Sequence, residues 1–98
     1  MLIHIVCWKY KPYVDDEAKS EHRSRLRSLA DLIPNIESLD VGSDIVHLER
    51  SFDTGLVAVF PDGRALDDYT DHPEHQSVVA IGRAIAEKVV SVDFMRPE

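Results

Sequence analysis

Leu2-Ile3-His4-Ile5-Val6-Cys7-Trp8-Lys9-Tyr10 reads as a strand that is apolar on both faces for most of its length. Strand alternation puts Leu2, His4, Val6, Trp8 and Tyr10 on one face and Ile3, Ile5 and Cys7 on the other. Lys11-Pro12 ends it, because proline has no N–H for the ladder. Gly55 to Phe60 is a second such strand, nearly continuous in apolar residues. Helices can cover one side of a sheet built from these strands, which leaves the other side bare. A second copy of the chain is the simplest cover.

The rest of the chain fits around those two strands. Asp15, Asp16 and Glu17 supply the acidic first turn of a helix. It runs to about Ile33 with Ala18, His22, Leu26, Leu29, Ala30 and Ile33 on one stripe, and Pro34 stops it. Ile36, Leu39 and Val41 suggest a strand ended by Gly42, and Ser43 to Thr54 reads as a polar connection. Pro61-Asp62-Gly63 turns the chain, and Asp62 caps a short helix that carries Ala65, Leu66 and Tyr69 inward. His72-Pro73-Glu74 starts the next helix, with proline in its first turn. His75, Val78, Val79, Gly82, Ile85, Ala86 and Val89 recur there at threes and fours. Val90, Val92 and Phe94 close the chain as a strand. The order β-α-β-β-α-α-β predicts an α+β, ferredoxin-like antiparallel sheet with its helices on one face. One domain spans residues 1–98, with its core over about 2–94.

Composition bounds the function. The chain has 98 residues, 44% hydrophobic and 30% charged, so one domain with a real core is expected. Eighteen acidic residues against 11 basic ones give a formal net charge of −7. Arg23, Arg25 and Arg27, near Lys19, spread round a helix among acidic neighbours, so neither nucleic acid nor an anionic membrane is an expected partner. The single cysteine, Cys7, cannot close an intramolecular disulfide. With no apolar run of membrane-spanning length and no basic-then-apolar leader, the expected setting is the cytoplasm.

Several segments resemble the stress-responsive dimeric α/β-barrel domain, often called Dabb. Leu2-Ile3-His4-Ile5-Val6 with Lys9-Tyr10-Lys11 resembles that family's opening. Asp68-Tyr69-Thr70-Asp71-His72-Pro73-Glu74-His75 resembles its most recognisable segment. Leu32-Ile33-Pro34 followed by Ile36, and Val92-Asp93-Phe94, fall in matching order, so the resemblance covers essentially the whole chain. It implies two ferredoxin-like sheets packed face to face as a homodimer, with a cavity between sheet and helices. The family's functions are heterogeneous: some plant members are stress-induced oligomers, and one type cyclises linear polyketides.

Three side chains are the main candidates. His75 shares an inward stripe with Val78 and Gly82, Tyr69 faces inward from the short helix, and His4 lies on the strand face of Val6 and Trp8. By resemblance to the polyketide-cyclising members, His75 and Tyr69 match catalytic residues and His4 a pocket-wall histidine. A histidine of near-neutral pKa can remove a proton alpha to a carbonyl while a phenol stabilises the enolate. The expected pocket lining is His4, Val6, Trp8, His22, Leu26 and Val78. The cyclising members carry aromatic residues where this chain has His22, Arg23 and Leu26, which implies a different, smaller or more polar ligand. Structural roles stand beside the catalytic ones: His72 as a helix cap, Tyr69 as packing, His4 as a core histidine. Cys7 reads as a buried thiol of the dimer interface and His47 as solvent-exposed.

No cofactor is expected. The resemblance to plant members implies magnesium on the backbone carbonyls of Ala30, Ile33 and Ile36, where a helix end leaves orphan acceptors. His72 and His75 with Asp71 and Glu74 form an incomplete zinc set. Three functions therefore stay open. The first is a small-molecule-binding dimer acting as a cofactor-free cyclase, lyase or isomerase. The second is a non-catalytic stress-response or oligomerisation protein. The third is a cofactor-free or haem-handling monooxygenase on the same barrel.

Overall fold

The computed structural model describes residues 1–97, so the single-domain reading over 1–98 includes one residue, Glu98, outside the described part. The elements are β1 (Leu2–Tyr10), α1 (Asp16–Leu32), β2 (Ser38–Ser43), β3 (Thr54–Phe60), α2 (Gly63–Asp71), α3 (Pro73–Ile85) and β4 (Ala86–Met95). The strands form one antiparallel sheet in the order β2-β3-β1-β4. This is the ferredoxin-like arrangement expected from the element order.

The helix starts are the capped ones. Asp15 accepts from the Ala18 N–H, Asp62 from the Ala65 N–H, and the His72 ring from the Glu74 N–H. Each satisfies a backbone donor that a helix start leaves orphaned. The core lies between the helices and the even face of β1. Leu2, Trp8 and Tyr10 pack there with Leu56, Ala58 and Phe60 of β3, Leu26, Leu29 and Ile33 of the first helix region, and Tyr69 and Val78.

Two expectations are corrected. The helical stripe of α3 does not continue to Ala86 and Val89: the helix ends at Ile85, and both residues belong to β4. Ala86 pairs with Tyr10 and Val89 with Trp8, so the ladder to β1 overrides a periodicity that carries on by coincidence. Ala30 is exposed, which narrows the buried face of α1 to His22, Leu26 and Leu29.

The outer face of the sheet is apolar, as the two-faced strands required. Register puts Ile3 beside Val59 and Phe94, Ile5 beside Val57 and Val92, and Cys7 beside Gly55 and Val90. Val92 is 53% exposed and Phe94 45%, although the alternation of β4 directs both to the same side as Ile5.

Candidate functional site

A cavity of about 320 Å³ opens between the sheet and the helices. β1 contributes His4, Val6 and Trp8; α1 contributes Leu26; the α2–α3 segment contributes Tyr69, Thr70, His75, Val78, Val79 and Arg83. Strand β4 adds Val89 and Ser91. Its volume falls at the lower end of small-molecule pockets, and its walls are mostly apolar with a few convergent polar groups.

Tyr69, His75 and His4 meet there. The Tyr69 and His75 rings lie 4.3 Å apart, centroid to centroid, and His4 stands edge-on to Tyr69 at 6.0 Å. Tyr69 reaches this spot from the last turn of α2, which ends at Asp71. The His72-Pro73 start then launches α3 so that His75 lies one turn in, over the phenol.

His75 Nδ1 lies 3.1 Å from the Thr70 carbonyl. A carbonyl only accepts, so Nδ1 carries the proton and Nε2 of the neutral ring keeps a lone pair. Burial pushes the His75 pKa below its ordinary value. The Thr70 hydrogen bond opposes that shift, and the neighbouring His4 and His72 reinforce it. The imidazole is therefore neutral near pH 7 and can accept a proton. Burial pushes Tyr69 up to about 12, so its phenol is a neutral O–H donor. The site thus holds a base and a hydrogen-bond donor side by side.

His4 has a partner that was not anticipated. Its Nδ1 bonds the Asp93 carboxylate across the β1–β4 ladder. Val92 and Phe94 face outward, so Asp93 had to face the helices, and antiparallel pairing sets it opposite His4. That alternation was present in the sequence. Arg83, Thr70 and Ser91 were also missed as lining residues.

His22 is placed elsewhere than among the lining residues. It is fully buried in the core, where Nδ1 lies 2.8 Å from the Tyr10 hydroxyl and Nε2 has no partner among the described residues. Its ring packs edge-on to Trp8 at 5.1 Å, and of the two only Trp8 borders the cavity. Desolvation, with Arg23 adding repulsion, lowers its pKa to about 4. The other expected lining residues, His4, Val6, Trp8, Leu26 and Val78, border the cavity.

No group of three or more His, Cys, Asp or Glu among the described residues could hold a metal ion. Ala30 lies in the last turn of α1, Ile33 caps it and Ile36 lies in the connection to β2, all outside the cavity lining. Pro34 has no N–H, so the Ala30 carbonyl lacks the donor that a continuing helix would give it.

The family model of the stress responsive A/B barrel domain (Dabb) matches residues 2–96. The chain belongs to the Dabb family. A search of curated proteins returns no match. Among solved structures, a dimeric ferredoxin-like protein of unknown function from Thermobifida fusca matches with a TM-score of 0.86 at 24% identity, over 95% of this chain and 88% of its own. A hydroxynitrile lyase from Passiflora edulis matches at 0.89 and 16% identity, over 99% and 94% of the two chains. An antibiotic biosynthesis monooxygenase matches at 0.77 and 18% identity, over the whole of both chains. At these identities the likenesses establish the Dabb fold, on which different chemistries are built. Among the described residues of this Dabb chain no helix is long and apolar enough to cross a membrane.

Proposed function

We propose that this Dabb protein binds a small carbonyl compound in its cavity and transfers a proton at the carbon alpha to the carbonyl. The observation that carries this reading is the close, tilted Tyr69–His75 pair, with a donor and a lone pair left unspent inside an apolar pocket. His75 Nε2 takes the alpha proton while the Tyr69 O–H holds the developing enolate oxygen. The C–H electron pair becomes the enolate double bond, and the Thr70 carbonyl supports the imidazolium through Nδ1–H. Return of the proton to another carbon, attack of the enolate on a second carbonyl, or loss of a leaving group gives isomerase, cyclase or lyase chemistry.

Deuterium wash-in tests it. A small ketone such as cyclohexanone, followed by NMR in D₂O, should exchange its alpha protons with the protein well above buffer rate. His75→Ala and Tyr69→Phe should each lower that rate at least tenfold. Equal rates for His75→Ala and the unaltered chain would refute the assignment.

The working unit in this proposal is a homodimer closed over the outer sheet face, in line with the dimeric solved neighbour. A cytoplasmic setting accords with the unpaired Cys7. Magnesium on the carbonyls of Ala30, Ile33 and Ile36 is a separate proposal, in which the ion ties down the end of α1 and takes no part in proton transfer. Added magnesium should then raise the melting temperature where equal calcium-free ionic strength does not; no difference between the two overturns it.

A further inference from the structure

The two ends of the cavity differ in charge. His4, Tyr69 and His75 gather at one end, and Asp93 sets a carboxylate behind His4. Trp8 pairs with Val89, and its indole nitrogen lies 3.3 Å from where a Cβ at Gly82 would sit, so Trp8, Val89 and the adjacent Arg83 stand together at the other. Arg83 follows His75 by eight residues on α3, about 12 Å at 1.5 Å per residue. Trp8 follows His4 by four on β1, about 13 Å at 3.3 Å per residue. Helix and strand therefore measure the same length of cavity. Among the described residues Arg83 is the only arginine or lysine in the lining, and no carboxylate pairs with it.

We propose that the ligand is a small organic carboxylate with an apolar body, its carboxylate held by Arg83 and its far end delivered to Tyr69 and His75. This rests on the proton-transfer reading of the same cavity and adds the substrate class. A guanidinium presents a fork of donors that matches a carboxylate in two parallel hydrogen bonds. Val6, Leu26, Val78 and Val79 take the hydrocarbon between the ends. Asp93 opposes the reversed orientation by like-charge repulsion. The net charge of −7 disfavours anions generally, so recognition of one requires a local cation. A volume of about 320 Å³ stands at the small end of ligand pockets, which suits a compact ligand of about ten non-hydrogen atoms.

Octanoate and 1-octanol match that size and differ in the carboxylate. Titration of the labelled full chain by NMR, following the His75 ring and Tyr69 signals, should show octanoate binding at least tenfold more tightly than octanol. Arg83→Gln should bring octanoate to the octanol level while leaving octanol affinity unchanged, which also reports that the variant is folded. Arg83→Lys should recover most of the loss. Equal affinities for the two probes in the unaltered chain, or octanoate binding indifferent to Arg83→Gln, overturns the carboxylate assignment while the shifts at His75 leave the cavity reading standing. Absence of any shift at His75 and Tyr69 with either probe overturns both.

Discussion

Tyr69 is 1% exposed, and its hydroxyl is the group whose removal separates chemistry from packing. Tyr69→Phe keeps the ring against Phe60, 5.1 Å away, and deletes an oxygen that has no protein partner among the described residues. A hydroxyl without a partner contributes little to folding, so the melting temperature should hold or rise slightly while alpha-proton exchange collapses. Calorimetry beside the exchange assay checks both halves. His22 gives the opposite kind of prediction. Its folded pKa of about 4 lies below the ordinary 6.5, so between those values the unfolded chain binds more protons than the folded one. Stability is fully present above pH 6.5 and falls as pH drops toward 4, by on the order of 3 kcal/mol if the whole shift is expressed. His75, shifted in the same direction, adds to the slope. Denaturant midpoints from pH 7 to 4 should fall steeply for the unaltered chain and less steeply for His22→Gln, and matching slopes would sink the assignment to His22.

At the scale of elements, α3 is the piece that ties the core to the cavity. A Cβ at Gly82 would lie 3.0 Å from His22 Nε2 and 3.3 Å from Trp8 Nε1, so both rings must give way. Alanine gains about 1 kcal/mol of helix propensity there but meets overpacking of about 1–3 kcal/mol. The tighter contact is with His22, which is fully buried, so the clash should win and Gly82→Ala should lower stability. Gly63, at the start of α2, has open space, and Gly63→Ala should be neutral or stabilising by about 0.5 kcal/mol. Thermal melts of the two variants that move the same way would contradict this. Element identity was legible in the chain because local signals agreed: Asp15, Asp62 and His72 cap where their side chains say they should. The site was half legible. Tyr69, His75 and His4 come together because helical and strand periodicity assign their faces. Periodicity alone cannot say how far along a face the cavity extends, so Arg83 was missed and His22, expected in the lining, lies buried in the core beside Trp8. The end of α3 was misjudged for a related reason: Val89 satisfies both a helical and a strand pattern, and only pairing with Trp8 decides between them.

At the scale of the whole molecule, the surface itself asks for a partner. A folded monomer of 11.1 kDa is expected to expose roughly 5,600 Å². This chain exposes 6313 Å², somewhat more. The outer sheet face is where that excess is apolar: Val57 is 41% exposed, Val92 53% and Phe94 45%, in rows that β1 completes with Ile3 and Ile5. Helices occupy the other side of the sheet, so only a second molecule can remove these side chains from water. Val92→Asp discriminates between the two states of the chain. In a monomer the residue is already half in solvent, and the substitution should cost less than about 1 kcal/mol. In a dimer closed over this face, each copy carries an unpaired charge into a dry interface, at about 3–5 kcal/mol apiece. Sedimentation at micromolar concentration should therefore find the unaltered chain at twice the monomer mass and Val92→Asp as a folded monomer, with Ile5→Asp dissociated or unfolded because Ile5 lies half-buried on an inner strand between Val57 and Val92. A clean monomer for the unaltered chain would overturn the dimer and leave its apolar face without a cause.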